Sequence, residues 1–138
     1  MELNYVNRIS ADDFQRLRAS AGWRTIAFEQ AENAVKNCFF SVSCMDGEKT
    51  VGMARLIWNM DYNVYVSDVI VEEEYRGRGI AKTMINMGLE KVREAMQEGW
   101  VVKVFLTAAK GRETFYEQFG FERMPNDHMG AALEQWFE

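Results

Sequence analysis

The stretch Val69-Ile-Val-Glu-Glu-Glu-Tyr-Arg-Gly-Arg-Gly-Ile-Ala81 decides the fold that we predict for this chain. It begins as an apolar strand, continues as a short loop with two arginines and two glycines, and ends at the start of a helix. A turn of this kind directs several backbone N–H groups and a helix N-terminus at one point, where a phosphate group is stabilised. The stretch therefore predicts an anion-binding loop between a strand and a helix.

A long amphipathic helix is predicted after the loop, because apolar residues recur there at helical spacing. These residues are Ala81, Ile85, Leu89, Val92 and Met96, and Gly99 is the expected C-terminal cap. The apolar segment 101–106 predicts a strand that is buried on both faces. A short helix over 113–119, a strand from Phe121 and a last strand over 132–137 complete the prediction for this half.

Strands also dominate the segment before the loop. A short strand over 5–9 is followed by a helix with Ser10 as N-cap, and by a second helix from about 25 to 35. Between residues 38 and 71 the turn sequences Asp46-Gly47 and Asp61-Tyr62-Asn63 separate strands, the last with Val64, Val66 and Ile70 on one face. The order of elements predicts a mixed α/β domain over residues 1–138 around one central sheet.

The composition narrows the class of protein. With 138 residues, 48% hydrophobic residues and 13% aromatic residues, the chain can bury the core of one domain. The net charge of -5 argues against binding nucleic acid and suits cationic substrates. Apolar runs are too short for a membrane span, and the start Met-Glu-Leu-Asn lacks the pattern of a signal peptide. We therefore expect a cytoplasmic protein.

The cysteines and the single histidine predict neither a disulfide nor a metal site. Cys38 and Cys44 fall on one predicted strand, roughly 20 Å apart, which is too far for a disulfide. We expect buried, reduced thiols. His128 is the one histidine of the chain, and it forms no metal-ligand pattern with the cysteines.

Two motifs together carry a family resemblance. Arg76-Gly-Arg-Gly-Ile-Ala81 fits the signature Gln/Arg-x-x-Gly-x-Gly/Ala between a strand and a long helix, and Phe115-Tyr-Glu-Gln-Phe-Gly-Phe121 follows further along. This pair resembles the Gcn5-related N-acetyltransferase (GNAT) family. The resemblance implies a mostly antiparallel, twisted sheet with two splayed strands and flanking helices. It also implies acetyl-coenzyme A (acetyl-CoA) as cosubstrate and, as in many relatives, a possible homodimer.

The resemblance assigns the cofactor-binding positions. The loop and helix start would hold the pyrophosphate, and the end of the preceding strand and the segment after the next strand would line the pantetheine arm. These positions are Val69, Ile70, Val71, Arg76, Gly77, Arg78, Gly79, Ile80, Ala81, Thr107 and Ala109. Where many members carry a proline, this chain has Glu72-Glu73-Glu74, and we expect these carboxylates to face solvent.

The resemblance also suggests which groups move protons. Tyr116 matches the tyrosine that protonates the leaving thiolate in many relatives, although a core aromatic is the simpler alternative. Asp68 matches an acidic position that meets the substrate amine, and its alternative is a structural hydrogen-bond acceptor. Glu29 or a chain of water molecules could serve as the base instead.

The acceptor amine is left open by the sequence. Trp23, Phe28 and Glu29 could form a wall of its site, and core packing is the alternative for the two aromatic residues. His128 could line the site or lie on an exposed loop. We expect a small primary amine as acceptor; the alternatives are a protein amine and a non-catalytic acyl-CoA binder. RNA binding through the Arg-Gly sequence and a nucleotide-binding P-loop fit the chain poorly.

Overall fold

The structure is a computed structural model that describes residues 2–138. It divides into two compact units, the first ending at Val104 and the second comprising Phe105–Glu138. Each unit is described by itself below. The expectation of one domain over residues 1–138 stays a prediction.

One five-stranded sheet forms the centre of the first unit, and its last strand includes Phe105, where the second unit begins in the chain. Its strands lie in chain order: β1 Leu3–Val6, β2 Phe40–Asp46, β3 Lys49–Trp58, β4 Asn63–Val71 and β5 Lys103–Phe105. The first four pair antiparallel. The backbone N–H of Lys103 donates to the carbonyl of Tyr62 over 2.7 Å, so β5 begins beside the start of β4. The predicted mixed α/β fold with a mostly antiparallel sheet is confirmed.

Residues 2–138 contain four helices, of which the first has a side-chain N-cap. They are α1 Ala11–Ser20, α2 Phe28–Lys36, α3 Ile80–Ala95 and α4 Glu113–Glu117, with one 3-10 turn over Glu73–Tyr75. The Ser10 hydroxyl accepts a hydrogen bond from the backbone N–H of Asp13, as predicted for an N-cap. The second helix begins at Phe28, later than predicted, because the segment before it is held by the side chain of Gln15.

Helices cover both faces of the sheet. On one face α3 buries Ile80, Met84, Ile85, Leu89 and Val92 against the central strands. On the other face Phe14, Leu17 and Ala31 of α1 and α2 form a cluster with Met53 and Ile70 of the sheet. Burying one Ile, Leu, Met, Phe or Val side chain stabilises the folded protein by roughly 1.5–3 kcal/mol relative to leaving it exposed.

A β-bulge in β4 corrects one prediction. Leu56 pairs with Val66 and Arg55 with Ser67, but Met53 pairs with Ile70, so β4 has one residue more than β3 in this interval. Residues that pair directly share a face, and Leu56 and Met53 lie on opposite faces. Val66 and Ile70 therefore lie on opposite faces, and the prediction that both share one face is wrong.

The end of α3 and the strand that follows also differ from the prediction. The helix ends at Ala95 with Met96 as its cap, and Gly99 lies in the next turn at φ +84°. The strand comprises Lys103–Phe105 alone, and Val101 is 82% exposed. The prediction of a strand buried on both faces over 101–106 is wrong, because apolar composition alone does not define which side chains are covered.

The two predicted C-terminal strands are absent from residues 106–138, all of which the structure describes. Between the two predicted strands, the side-chain oxygen of Asn126 accepts hydrogen bonds from the backbone N–H groups of His128 and Met129. Leu133 and Phe137 are 96% and 86% exposed. This Asx-turn favours a local turn over extended backbone at 126–129, and apolar composition on either side of it is not sufficient to form a strand.

The cysteines are free thiols in different settings. Cys44 is buried within β2, as predicted. Cys38 lies before β2 and is partly exposed, so the prediction of burial on the same strand is wrong for it. Within residues 2–138, no helix is both long and apolar enough to cross a membrane.

The contact between Gly88 of α3 and β3 leaves no space for a side chain. A Cβ atom added at Gly88 would lie 2.9 Å from one methyl group of Leu56 and 3.4 Å from the ring of Phe40. We expect Gly88→Val to lower the free energy of unfolding by about 1–3 kcal/mol through overpacking. Urea denaturation measures this change.

Asn86→Val is the matched control, because Asn86 is exposed on the same helix and receives the same β-branched side chain. Equal midpoints for the two variants would contradict the packing explanation.

Candidate functional site

The loop between β4 and α3 has the backbone geometry of an anion cradle. Gly77 and Gly79 both have φ +78°, which favours glycine, and a Cβ atom at either would meet no atom within 4 Å. The first bond of α3 joins the Thr83 N–H to the Gly79 carbonyl at 3.0 Å. The N–H groups of the residues between them therefore lack a helical acceptor and are suited to an anion.

Two arginines brace this loop. Arg76 donates its Nε hydrogen to the carbonyl of Val71 over 3.1 Å, which ties the loop to the end of β4. Arg78 donates to the carbonyl of Glu74 over 3.1 Å, and its guanidinium lies 5.1 Å from the ring centre of Tyr75. The Tyr75 hydroxyl in turn donates to the carboxylate of Asp46. The arginines thus supply positive charge and limit the freedom of the loop.

The three consecutive glutamates do not share one environment. Glu72 bonds Arg16 of α1 and lies 3.1 Å from the ammonium group of Lys49, with a side chain only 14% exposed. The expectation that it faces solvent is wrong, because these two cations hold it against the first unit. Glu73 and Glu74 are exposed, as expected.

The end of β4 alternates in burial. Ile70 is buried, whereas Val69 and Val71 are partly exposed. Ile80 at the start of α3 is buried, and the neighbouring Ala81 is partly exposed. Of the other positions predicted to bind the cofactor, Thr107 and Ala109 are exposed residues of the second unit.

Asp68 lies at the bulge of β4 and is held by two arginines. Its Oδ1 accepts from Arg18 Nη1 at 2.7 Å, and its Oδ2 accepts from Arg55 Nε at 2.7 Å and from the Ser67 hydroxyl at 2.9 Å. Its φ is +55°, in the left-handed region that aspartate tolerates better than most residues. These contacts support the structural-acceptor interpretation of Asp68.

The same arginines reach the segment that was predicted to wall the acceptor site. Arg18 donates through Nε and Nη2 to the carbonyl of Arg24 at 3.0 and 2.7 Å, and its guanidinium lies 5.8 Å from the ring centre of Trp23. Arg55 donates to the carbonyl of Ala34 in α2 at 3.3 Å. We call Arg18, Asp68 and Arg55 the carboxylate clamp.

Sequence reasoning missed both arginines of the carboxylate clamp. A signal was available for Arg55, which is a charged residue inside an otherwise apolar strand and needs a partner when buried. Arg18 follows Phe14 by one helical turn, and its guanidinium lies 5.6 Å from the ring centre of Phe14. Their common partner could not be inferred, because fifty residues separate Arg18 from Asp68.

The predicted acceptor-site residues of the first unit differ in exposure. Trp23 packs against the apolar cluster on α1, in line with the core-packing alternative. Phe28 is 61% exposed at the start of α2, and Glu29 is exposed in the same turn.

Tyr116 lies on α4 in an aromatic group of the second unit. Its ring makes edge contacts with Phe115 and Phe121 at centroid distances of 5.1 and 6.3 Å. Burial raises the pKa of Tyr116 above its ordinary value, and the charge of nearby Arg112 opposes this increase. The phenol is therefore protonated at neutral pH and able to donate a proton.

His128 lies on a loop of the same unit, with a side chain that is 68% exposed. Its Nε2 is 3.9 Å from a carboxylate oxygen of Glu122. This position agrees with the exposed-loop alternative. Among residues 2–138, no group of three or more His, Cys, Asp or Glu side chains could hold a metal ion.

Solved structures share the fold. A probable acetyltransferase of unknown function from Staphylococcus aureus has a TM-score of 0.84 and 24% identity, with 97% of this chain and 100% of that chain covered. A predicted acetyltransferase from Clostridium acetobutylicum, described with acetyl-CoA, has a TM-score of 0.69 and 17% identity, with 99% and 95% covered. At these identities the likeness establishes the fold alone.

Two curated relatives are similar in sequence. An uncharacterized N-acetyltransferase from Pyropia yezoensis is 25% identical, with 88% of this chain and 70% of the relative covered. The chloroplastic GCN5-related N-acetyltransferase 2 from Arabidopsis thaliana is 27% identical, with 88% and 54% covered. The chain thus spans about half the length of the Arabidopsis protein.

The family model of the GNAT acetyltransferase domain matches residues 11–132. This match includes α1, the bulged strand β4, the glycine loop and Tyr116, so it covers both motifs on which the resemblance was based. The predicted family and class of enzyme are confirmed: the chain belongs to the GNAT family of acetyltransferases.

Proposed function

We propose that this protein transfers an acetyl group from acetyl-CoA to a primary amine of a small molecule. The loop before α3 carries the proposal, since two left-handed glycines leave open space where a side chain would lie. Membership of the GNAT family and the Clostridium acetobutylicum relative described with acetyl-CoA support this cosubstrate.

The loop fits the pyrophosphate of acetyl-CoA by its chemistry. The N–H groups of Gly79, Ile80 and Ala81 would hold phosphate oxygens, and Arg76 and Arg78 would balance their charge. The partly exposed Val69 and Val71 at the end of β4 would lie along the pantetheine arm. On the resemblance, Thr107 and Ala109 would also line the cofactor.

When bound, acetyl-CoA supplies the thioester whose carbonyl carbon the neutral amine attacks, forming a C–N bond and releasing CoA thiolate. Tyr116 would give its phenolic proton to that sulfur, and burial keeps the phenol protonated for this role. The proton of the amine would leave through Glu29 or a chain of water molecules. Both carboxylate oxygens of Asp68 already accept hydrogen bonds, which weakens its candidacy as the base.

The acceptor would lie against the segment that contains Trp23, Phe28 and Glu29, with an exposed aromatic ring and a carboxylate suited to an alkyl ammonium group. His128 remains a candidate for the same site. A protein amine is the second candidate acceptor, because one relative with 26% identity is named as a histone acetyltransferase from Glycine max. A cytoplasmic location, a homodimer and the lack of nucleic-acid and membrane partners stay predictions.

An amine-panel assay tests the proposed function directly. The purified protein and acetyl-CoA are incubated with polyamines, amino acids, aminoglycosides and lysine peptides, and free CoA thiol is measured. We expect turnover with at least one small amine. Turnover with peptides alone would favour the second acceptor, and CoA binding without turnover on any amine would favour a non-catalytic binder.

Substitution of Gly79 tests the loop. We expect Gly79→Val to raise the KM for acetyl-CoA about tenfold or more, since a β-branched residue resists φ +78° and its side chain enters the open space. Steady-state kinetics at saturating amine provide the measurement.

Gly99→Val is the control for Gly79→Val. Gly99 has φ +84° in an exposed turn, so valine there causes similar backbone strain at a position outside the glycine loop. An equal rise in KM for both variants would contradict the assignment of the loop.

Substitution of Tyr116 tests the general acid. We expect Tyr116→Phe to lower kcat on the order of 10²-fold, with little change in the KM for acetyl-CoA. Because burial raises the pKa of Tyr116 above its ordinary value of about 10, the ratio of the two kcat values should stay constant from about pH 6 to 9.

Tyr62→Phe, at a side chain that is 61% exposed, is the control for loss of a phenol. Unchanged kcat in Tyr116→Phe with a good amine would remove Tyr116 from the mechanism.

A further inference from the structure

The carboxylate clamp lies at the β-bulge of β4, where the alternation of side chains between the two faces of the sheet is interrupted. Arg55 pairs with Ser67, and the next paired residues are Met53 and Ile70. The extra residue of β4 therefore falls at Asp68 and Val69, and Asp68 has the left-handed φ of +55°. The partly exposed Val69 and Val71 follow directly in the chain.

The clamp holds this bulge from three directions. Arg55 approaches from the neighbouring strand, Arg18 from α1, and the Ser67 hydroxyl from the preceding residue of β4. The side chain of Asp68 is only 4% exposed, and those of both arginines are 13% exposed. A left-handed backbone for a non-glycine residue persists when its surroundings over-determine it, and these contacts meet that requirement.

The clamp also fixes the segment opposite the strand. Arg18 donates two hydrogen bonds to the carbonyl of Arg24, and Arg55 donates one to the carbonyl of Ala34. These carbonyls belong to the segment between α1 and α2 and to α2 itself. One carboxylate therefore sets the distance between β4 and the segment that carries Trp23, Phe28 and Glu29.

We propose that Asp68 is a positioning residue of the transferase. Through Arg18 and Arg55 it holds the β4 bulge, and thereby fixes the backbone of Val69–Val71 relative to the segment that carries Trp23, Phe28 and Glu29. The functional part of this inference rests on the proposed acetyl-CoA site. In this role Asp68 accepts hydrogen bonds and exchanges no proton with the substrate.

The first experiment needs no activity. Asp68→Asn keeps a side chain that tolerates left-handed φ but removes the charge that both guanidiniums share. Amide hydrogen exchange is compared in the wild-type protein, Asp68→Asn and Asp13→Asn. Asp13 is a suitable control because its carboxylate bonds Thr50 and Arg16 outside the clamp.

We expect exchange at residues 68–71 and 23–27 to become at least tenfold faster in Asp68→Asn, with β1 and α3 unchanged and little effect in Asp13→Asn. Equal protection of both segments in Asp68→Asn and the wild type would overturn the positioning role. Faster exchange throughout the first unit would also overturn it, because the clamp would then support general stability alone.

The second experiment separates positioning from proton transfer. We expect Asp68→Asn and Arg55→Gln each to lower kcat/KM for acetyl-CoA by about 10- to 100-fold, since small displacements of a binding strand have effects of this size. The double variant should lose little more than either single variant, because the three groups act as a unit. Arg55→Lys, which keeps the charge, should restore part of the activity.

The pH profile of kcat then distinguishes the two roles. A positioning residue leaves the acidic limb of the profile unchanged in Asp68→Asn, whereas loss of that limb with an unchanged KM would identify Asp68 as the base and overturn the inference. Normal CoA binding by Asp68→Asn in calorimetry would also overturn it. A wild-type protein that fails to bind CoA would instead contradict the proposed function and leave the exchange experiment to decide the clamp.

Discussion

A single buried carboxylate shared by two guanidiniums joins the layers of the first unit. Charges taken out of water are costly unless each finds partners, and here Asp68 and both arginines have theirs. α1 and the segment after it are tied to β3 and β4 by charged groups in addition to the apolar cluster around Phe14. α3 covers the other face mainly with apolar side chains, beside a hydrogen bond between Thr83 and Tyr5. Buried charged groups therefore help to define the position of one helical layer, and close packing dominates that of the other.

The glycine loop is held in place by contacts of the residue before it and by contacts of its own arginines. Before the loop, the N–H of Glu72 donates to the carbonyl of Val51, and the Glu72 carboxylate is held by two cations. Within the loop, Arg76 bonds back to Val71 and Arg78 packs on Tyr75. An anion that enters this loop would meet N–H groups that are already oriented, so little conformational entropy would be lost on binding.

Local signals in the sequence were sufficient to predict the glycine loop, the strand before it, the helix after it and the N-cap at Ser10. Each depends on neighbours within a few positions, such as glycine at positive φ or a hydroxyl before a helix. The family motifs added Tyr116, whose role in this chain stays a prediction. The face of Ile70 was predicted wrongly, since the bulge is created by pairing with a strand and by arginines distant in the sequence.

The prediction of a strand over residues 132–137 was wrong for a different reason. Apolar residues over 132–137 are typical of a strand, but a strand forms only where a neighbouring strand pairs with it, and within residues 2–138 no strand is assigned to this segment. Val101 also shows that an apolar residue need not be buried, because it is 82% exposed. Composition describes what a segment could bury, and only tertiary contacts determine what it does bury.

The bulge at Asp68 has a consequence for how this strand can change in length. One residue of β3 lies between Arg55 and Met53, whereas two residues of β4 lie between Ser67 and Ile70. Removal of one of these two would give both strands the same count, so the bulge would disappear while Ile70 stayed opposite Met53 and in the cluster around Phe14. A β4 shortened at this point should therefore keep its apolar core contacts and lose the left-handed backbone that places the Asp68 carboxylate between the two arginines.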